Sequence, residues 1–382
     1  MKDDFIFTSN YIDCLAKKLI SDGYQLEVYD FRKRKLMNFE DRSIISYYPS
    51  LNFLDKTPLR LFTNSVVFLF FCIKNKKVYD VVHILYVRTE FLFLHYFIKR
   101  ISKKIIVSIF GSDINKNYRL KKYFTKIYFL ADKITATNSE LMKIFLSRYT
   151  SKKDIQKISG KCKVIMFPMD LLKHQIEKPV NHNEIKAFRD SYGIKKDDIT
   201  ILCGATANIK NEQLYEIVDV INHMNLDKIK NLKIIFSMTY QGDDKSISKF
   251  IKYAKSHLNN NLIFLTNYLS IKETICLRLI TNIFINMRMK DQFVATMIES
   301  FYFKTHVITG SWLPYSILDQ ENFHYSKINK IKNLKDILFQ IVENKVSAKD
   351  ESKFELNKEK VLKLWSPHQK LKGWSNLYGD LI

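Results

Sequence analysis

The chain is poor in residues that break or cross-link a fold. Its 382 residues include only 9 Gly, 6 Pro and 5 Cys. So few glycines and prolines exclude a collagen-like, low-complexity or turn-rich all-β chain. The cysteines stand far apart with no Cys-x-x-Cys pair. This spacing argues against a disulfide framework and a zinc ribbon, and it fits a reducing, cytoplasmic setting.

Signals for export and for membrane insertion are also missing. The first residues, MKDDFIFTSNYIDC, carry acids where a signal peptide needs a basic segment and then an uninterrupted apolar one. The most apolar window, 61–73, contains Thr, Asn and Ser and is short, whereas crossing a bilayer takes about 20 apolar residues. We therefore expect a buried helix there, in a cytoplasmic protein that is soluble or peripheral to the membrane.

Positive charge is what the chain has in excess. It carries 62 Lys and Arg against 39 Asp and Glu, a formal net charge of +23. Residues 99–163 alone hold 17 Lys or Arg against 4 Asp or Glu, which is more than half of the excess. A general bias toward Lys would spread this charge along the chain. The sequence therefore favours a basic face that attracts nucleic acid, an acidic membrane or a phosphorylated ligand.

Short apolar runs alternate with amphipathic stretches, a pattern that predicts βαβ units and parallel sheets. Strands are predicted at 26–30, 78–87, 104–110, 133–137, 163–167, 200–203, 232–237, 262–265, 283–286 and 306–309. Helices are predicted at 11–23, 91–100, 120–131, 140–148, 212–223, 247–258, 271–280, from near 291, 334–343 and 359–365. The class is α/β, with two Rossmann-like doubly wound domains facing a cleft. The predicted division is a domain at 1–170, a linker at 171–198, a domain at 199–350 and closing helices at 351–382.

Two loops that follow predicted strands carry small and polar residues, where ligands of doubly wound domains bind. Gly111 lets a ligand approach the backbone and Asp113 can accept hydrogen bonds from sugar hydroxyls, unless Ser112 or Asp113 only caps a turn. In the second domain, the small residues of 203–211 can turn N–H groups toward a phosphate, and Lys210 adds a charge, unless this is an ordinary loop. Neither GxxxxGK(S/T) nor GxGxxG occurs in the chain.

A pair of acids in 286–300 gives the strongest pattern. Asp291 and Glu299 stand eight residues apart, about 80° around a helix, so both carboxylates can face one cleft. Glu299 lies among Ile298, Phe301 and Phe303, and a half-buried carboxylate suits ribose hydroxyls. The alternative is that Asp291 only complements a helix dipole and that Glu299 pairs with a Lys.

The loop 309–315 follows the next predicted strand. Gly310 permits close approach of a backbone to a ligand. Trp312 and Tyr315 offer stacking or packing surfaces, and we expect Trp312 to pack in the core.

Taken together, these loops resemble those of the GT-B glycosyltransferases, particularly family 4. The resemblance spans nearly the whole chain and is carried by short, degenerate motifs. These are Tyr79-Asp-Val-Val-His83 for the D-h-h-H strand, Phe110-Gly-Ser-Asp113 for the GSD loop, Phe167-Pro-Met-Asp170 for the interdomain junction, Lys210-Asn211 for the diphosphate-binding basic residue, Asp291 and Glu299 for the E-x7-E element, and 298–300 with 307–311 for the run after it. The usual Arg before the Lys is absent, since Ala207 and Asn208 stand there, and Gln292-Phe293 replaces FG.

The resemblance implies a transferase whose second domain binds a nucleotide-diphosphate sugar as co-substrate, without a cofactor. Glu299 would hold the ribose, Asp291 the donor sugar, and Lys210 with Arg288 the diphosphate of the leaving group. No Asp-x-Asp is present to hold a metal, and the family implies retention of configuration. The implied catalytic residues are Asp291, Lys210 and Glu299. The implied donor site consists of Gly204, Thr206, Lys210, Asn211, Arg288, Gln292, Phe293, Glu299 and Gly310, and the acceptor side of Gly111, Ser112 and Asp113.

The implied acceptor is a saccharide, commonly linked to a lipid diphosphate, in bacterial surface polysaccharide (lipopolysaccharide, O-antigen or capsule) synthesis. Basic and aromatic side chains in 99–163 suit an anionic membrane, at the inner face of the plasma membrane. The alternatives are a catalytically inactive GT-B-like partner-binding subunit, a basic nucleic-acid-binding protein and a sugar epimerase. No nucleic-acid partner is expected, because no helix-turn-helix, zinc finger or RNP signature occurs.

Overall fold

Short strands build two separate parallel sheets. The computed structural model describes residues 4–8, 13–29, 44–47, 60–87, 91, 94–111, 121–224, 231–240, 242–258, 261–291, 295–343 and 351–382. Its strands are β1 Asp4–Thr8, β2 Gln25–Tyr29, β3 Ile44–Tyr47, β4 Tyr79–Leu85, β5 Ser102–Ile109, β6 Lys133–Ala136, β7 Cys162–Val164, β8 Ile199–Cys203, β9 Leu232–Ser237, β10 Leu262–Leu265, β11 Ile283–Asn286, β12 His306–Gly310 and β13 Ser326–Ile328. The sheet orders are β3-β2-β1-β4-β5-β6-β7 and β10-β9-β8-β11-β12-β13.

Helices connect the strands, as parallel pairing requires. They are α1 Asp13–Ser21, α2 Arg60–Lys74, α3 His95–Arg100, α4 Lys121–Leu130, α5 Ser139–Leu146, α6 Lys152–Ser159, α7 Asp170–Glu177, α8 His182–Ser191, α9 Ile209–Glu212, α10 Leu214–Asn222, α11 Asp244–His257, α12 Ile271–Ile280, α13 Ala295–Tyr302, α14 Ser316–Gln320, α15 Leu334–Glu343, α16 Glu351–Trp365 and α17 Pro367–Gly379. The prediction of two parallel-sheet α/β domains is confirmed.

The chain divides into two compact units, one of 1–168 with 367–382 and the other of 169–366. The stretch 171–198, predicted as a linker with a surface helix, contains two helices, α7 and α8, and α8 packs on α12 within the second unit. An Asn181 capping box begins α8, which is why a polar stretch is helical. The predicted closing helices at 351–382 belong to different units. Helix α16 packs on α13 in the second unit, whereas α17 belongs to the first.

In the first unit, alternate residues of the central strands bury opposite faces of the sheet. Ile105 and Val107 of β5 join a core covered by α2 to α6, whereas Ile106 joins a core covered by α1 and α17. The predicted buried helix at 61–73 is α2, which buries Phe68 and Cys72 but leaves Phe70 56% exposed. No helix in the described ranges is long and apolar enough to span a bilayer.

A buried polar chain ties α17 to the first sheet. His83 of β4 contacts the Tyr378 hydroxyl through Nδ1 at 2.8 Å and the Ser108 hydroxyl through Nε2 at 2.7 Å. Ser108 in turn hydrogen-bonds Thr135 on β6 at 2.6 Å. Trp374 of α17 packs beside the imidazole with ring centroids 5.3 Å apart. The histidine of the D-h-h-H strand is therefore enclosed by core groups, and burial lowers its pKa from 6.5 to about 3.

Acid should weaken the first unit through His83. Below pH 6.5 the unfolded chain takes up a proton that the folded imidazole takes up only near pH 3, so this contribution to stability is lost as the pH falls. We expect a loss of about 2 kcal/mol in unfolding free energy between pH 6.5 and 5. Urea unfolding at both pH values, compared with His83→Gln, measures it, and an equal pH slope in the variant contradicts it.

Candidate functional site

The loops of interest in the second unit meet where the strand order reverses. Strand β8 lies between β9 on one side and β11 on the other, and β12 follows β11. Ligands of such sheets bind outside the carboxyl ends of the strands at this switch point. The segments that leave these ends are 204–213 after β8, 238–243 after β9, 287–291 after β11 and 311–315 after β12.

Gly204 begins the first of these segments in a conformation that suits glycine. Its φ is +70°, and a Cβ would lie 3.1 Å from Leu214 and 3.3 Å from the Glu212 carboxylate. Its N–H donates to the carbonyl of Ile285 on β11 at 3.1 Å. Thr206 is buried and donates its hydroxyl to Glu212 Oε1 at 2.8 Å. Both residues thus shape the loop around Glu212.

Glu212 holds Arg288 in a buried ion pair. The carboxylate is fully enclosed, and its Oε1 accepts from Arg288 Nε at 3.0 Å and Nη2 at 2.8 Å. The other side of the guanidinium donates from Nη1 to Asp291 Oδ1 at 2.9 Å. Burial acts to lower the pKa of Arg288, but the two carboxylates outweigh it and the pKa is raised. The predicted helper cation is thus already matched by two negative charges.

Asp291 lies at the end of the 287–291 segment, between Arg288 and Tyr315. Its Oδ2 accepts from the Tyr315 hydroxyl, which accepts in turn from Asn286 Nδ2 at 3.1 Å. Burial and the adjacent Asp291 carboxylate raise the pKa of Tyr315 well above its ordinary value. The predicted helix from near Asp291 is described only from Ala295, so the expected 80° separation on one helix does not apply to this pair.

Glu299 lies in α13 and is paired with an arginine. It is buried, and its Oε2 accepts from Arg278 Nε at 3.0 Å. Arg278, itself buried on α12, also donates to Thr296 at 3.3 Å. The partner is therefore an arginine and not the Lys considered from the sequence. The two ion pairs lie near one side chain, Tyr240. Burial is the main cause that raises the pKa of its hydroxyl, and smaller effects come from the charges of both pairs, Glu212 with Arg288 and Glu299 with Arg278.

Lys210 and Asn211 lie at the open edge of the site. Lys210 is exposed, and the described residues offer its ammonium group no hydrogen bond or ion pair. Asn211 joins two segments: its amide donates to the Lys290 carbonyl at 3.2 Å and accepts from the Lys290 N–H at 3.1 Å, and its own carbonyl accepts from Met289 N at 2.7 Å.

Gly310 has a packing role that the sequence did not indicate. A Cβ there would lie 2.3 Å from the Trp312 ring, so the indole occupies the space where a ligand backbone was expected. Trp312 was expected in the core but is 38% exposed, and its Nε1 donates to the Arg288 carbonyl at 2.7 Å.

Several predicted residues lie away from this cluster or outside the described residues. Gly111 has a φ of +88°, which suits a glycine at the end of β5. Ser112 and Asp113 on the acceptor side, and Gln292 and Phe293 on the donor side, lie outside the described residues.

Sequence reasoning missed Glu212 and Arg278 and treated Tyr315 as a packing surface. The available signals were an acid five residues after Thr206-Ala207 in the 203–211 loop and an Arg within an apolar helix. Within the described ranges, no three His, Cys, Asp or Glu side chains are grouped to hold a metal ion.

No family model matches the sequence, and no curated protein matches it significantly. Solved structures do match. A glycosyltransferase from Rickettsia africae has a TM-score of 0.74 at 14% identity, covering 100% of this chain and 98% of that one. Sucrose-phosphate synthase from Thermosynechococcus elongatus has a TM-score of 0.75 at 12% identity, and the match covers 100% of this chain and 99% of that one. The chain therefore has the GT-B fold. The chain is also similar to Anabaena HepE in complex with UDP-glucose. That match has a TM-score of 0.73 at 10% identity and covers 99% of each chain.

Removing Glu212 should destabilise the second unit. Glu212→Ala leaves the Arg288 guanidinium buried with Asp291 as its remaining carboxylate, and breaking a buried ion pair costs about 3–5 kcal/mol. Urea unfolding measures the change. Glu177→Ala, which removes an exposed pair with Lys173, is the control and should cost less than about 1 kcal/mol. Equal effects of the two variants would contradict the role of Glu212.

Proposed function

We propose that the chain is a glycosyltransferase that moves a sugar from a nucleotide-diphosphate sugar to a saccharide acceptor. The observation that carries the proposal is that Lys210 and Asp291 lie on the segments that leave β8 and β11 at the switch point of a GT-B second unit, and that Glu299 lies on α13, the helix that follows β11. Similarity to HepE, solved with UDP-glucose, supports a nucleotide-sugar donor. The finer assignment is a family 4 type of enzyme, acting in bacterial surface polysaccharide synthesis on a lipid-diphosphate-linked acceptor.

In the proposed mechanism, Glu299 accepts hydrogen bonds from the ribose hydroxyls, and Arg278 holds its carboxylate in place. Asp291, fixed by Arg288 and Tyr315, orients the donor sugar. The bond between the anomeric carbon and the diphosphate oxygen breaks, and its electron pair stays on the diphosphate. The acceptor oxygen forms the new bond to the anomeric carbon on the same face and passes its proton to the departing diphosphate. Lys210 stabilises the departing charge, without a metal.

We place the membrane-facing side of the enzyme on α2, α3 and α4 of the first unit. These neighbouring helices contain seven Lys or Arg and no Asp or Glu. Lys99 and Lys126 are exposed, and so are Phe70 at 56% and Tyr96 at 70%. Cations with interspersed aromatic side chains suit the anionic inner face of the plasma membrane.

Turnover of nucleotide-sugars by the purified chain tests the catalytic proposal. A screen by thermal shift first finds the donor, because a ligand that binds only the folded state raises Tm. Glu299→Gln should then lower kcat/KM by about 10- to 100-fold, since a hydrogen bond to a charged group is lost. Glu359→Gln, at an exposed acid in α16, is the control. Stabilisation without turnover favours an inactive subunit, and turnover without an acceptor favours an epimerase.

Vesicle binding tests the membrane proposal. Phosphatidylglycerol vesicles should retain the protein, less so as salt rises, and phosphatidylcholine vesicles should bind it poorly. Lys99→Ala with Lys126→Ala should weaken binding by about tenfold or more, because each cation near an anionic surface contributes about 1 kcal/mol. Lys252→Ala in the second unit is the control. Equal binding to both lipids removes the proposal, and salt-sensitive DNA binding without nucleotide-sugar binding favours the nucleic-acid alternative.

A further inference from the structure

Three basic residues stand on the segments that leave the central strands of the second sheet. The segments are 204–213, 238–243, 287–291 and 311–315, and their only Lys, Arg or His residues are Lys210, Arg288 and Lys290. These three are the cations that the segments themselves offer to a diphosphate bound at this edge, because Ala207 and Asn208 stand where the resemblance implies an Arg before the Lys.

Arg288 is occupied within the protein. It is only 9% exposed, and its Nε, Nη1 and Nη2 all donate to the carboxylates of Glu212 and Asp291. An incoming phosphate would have to displace a carboxylate that is itself buried, and a buried carboxylate without its partner is strongly unfavourable. The position of Arg288 therefore suits bracing of the 287–291 segment better than binding of a phosphate.

Lys290 is held beside Lys210 by the backbone. Asn211, the neighbour of Lys210, bonds both the N–H and the carbonyl of Lys290 and accepts from Met289 N. Lys210 and Lys290 are both exposed, and the ammonium group of neither forms an ion pair or hydrogen bond with the described residues. The acids next to them in sequence, Glu212 and Asp291, are already paired with Arg288.

We propose that Lys290 and Lys210 together bind the diphosphate of the donor, and that Arg288 is a positioning residue. The assignment rests on the proposed function. Each ammonium is a compact charge with three donors. When the bond from the anomeric carbon to the diphosphate oxygen breaks, the electron pair remains on the diphosphate, and both lysines stabilise the added charge. Lys290 thus takes the place of the missing Arg from a different loop.

The test compares a nucleoside diphosphate with its phosphate-free nucleoside. The diphosphate that raises Tm of the wild type most among UDP, GDP, ADP and dTDP serves as probe, and calorimetry gives Kd for both compounds. Lys290→Met and Lys210→Met should each weaken diphosphate binding about tenfold or more and leave nucleoside binding unchanged. Lys252→Met, at an exposed lysine of α11, is the matched control and should change neither value.

Arg288→Gln separates the two roles. We expect it to lower the unfolding midpoint while the ratio of nucleoside to diphosphate Kd stays within about twofold of the wild type. The assignment of Lys290 is overturned, while the proposed function stands, in either of two cases. In the first, Lys290→Met binds the diphosphate as tightly as the wild type. In the second, only Arg288→Gln lowers the ratio of nucleoside Kd to diphosphate Kd to about one. If none of the four diphosphates binds the wild type, the proposed function falls and the assignment falls with it.

Discussion

The second unit depends on one bridging ion pair, in which Arg288 joins Glu212 to Asp291. These three groups come from the segments after β8 and β11, and Tyr315 extends the chain to the segment after β12. Three separate loops are thereby fixed relative to one another at the edge of the sheet. Removing three charged groups from water is costly, so the arrangement persists only because most of their polar atoms are paired.

The positively charged side chains of the site differ in their exposure to solvent. The arginines at 278 and 288 are buried against carboxylates, whereas the lysines at 210 and 290 face solvent. Arginine suits the first task because its planar fork bonds two partners at once, and lysine suits the second because its flexible stem follows a mobile ligand. One enclosed carboxylate oxygen, Oε2 of Glu212, has no partner among the described residues. It lies against Gly204, at the start of the 204–213 segment.

The sequence predicted elements well where apolar runs are long and bounded. Strands β9, β10 and β11 and helices α12 and α15 have the expected bounds. Strands β3 and β13 were missed because three or four residues show too little alternation, and β1 was missed because it is short and begins at an acid, Asp4.

The ion pairs were beyond sequence reasoning for a different reason. Glu212 and Arg288 are 76 residues apart, and only the order of the strands brings them together. Asp291 was expected in a helix because its spacing from Glu299 is helical, but side-chain bonds to Arg288 and Tyr315 hold it in the preceding loop.

The place of α17 has a consequence for synthesis of the chain. The second unit, 169–366, is continuous in sequence and can fold as soon as it leaves the ribosome. The core of the first unit is completed later, because Trp374 and Tyr378 pack in it beside His83 and are made after the whole second unit. The second unit is therefore complete before the first, although the first begins earlier in the sequence. Until α17 is made, α1 alone among the described helices covers this face of the first sheet, and apolar side chains that α17 will bury stay exposed.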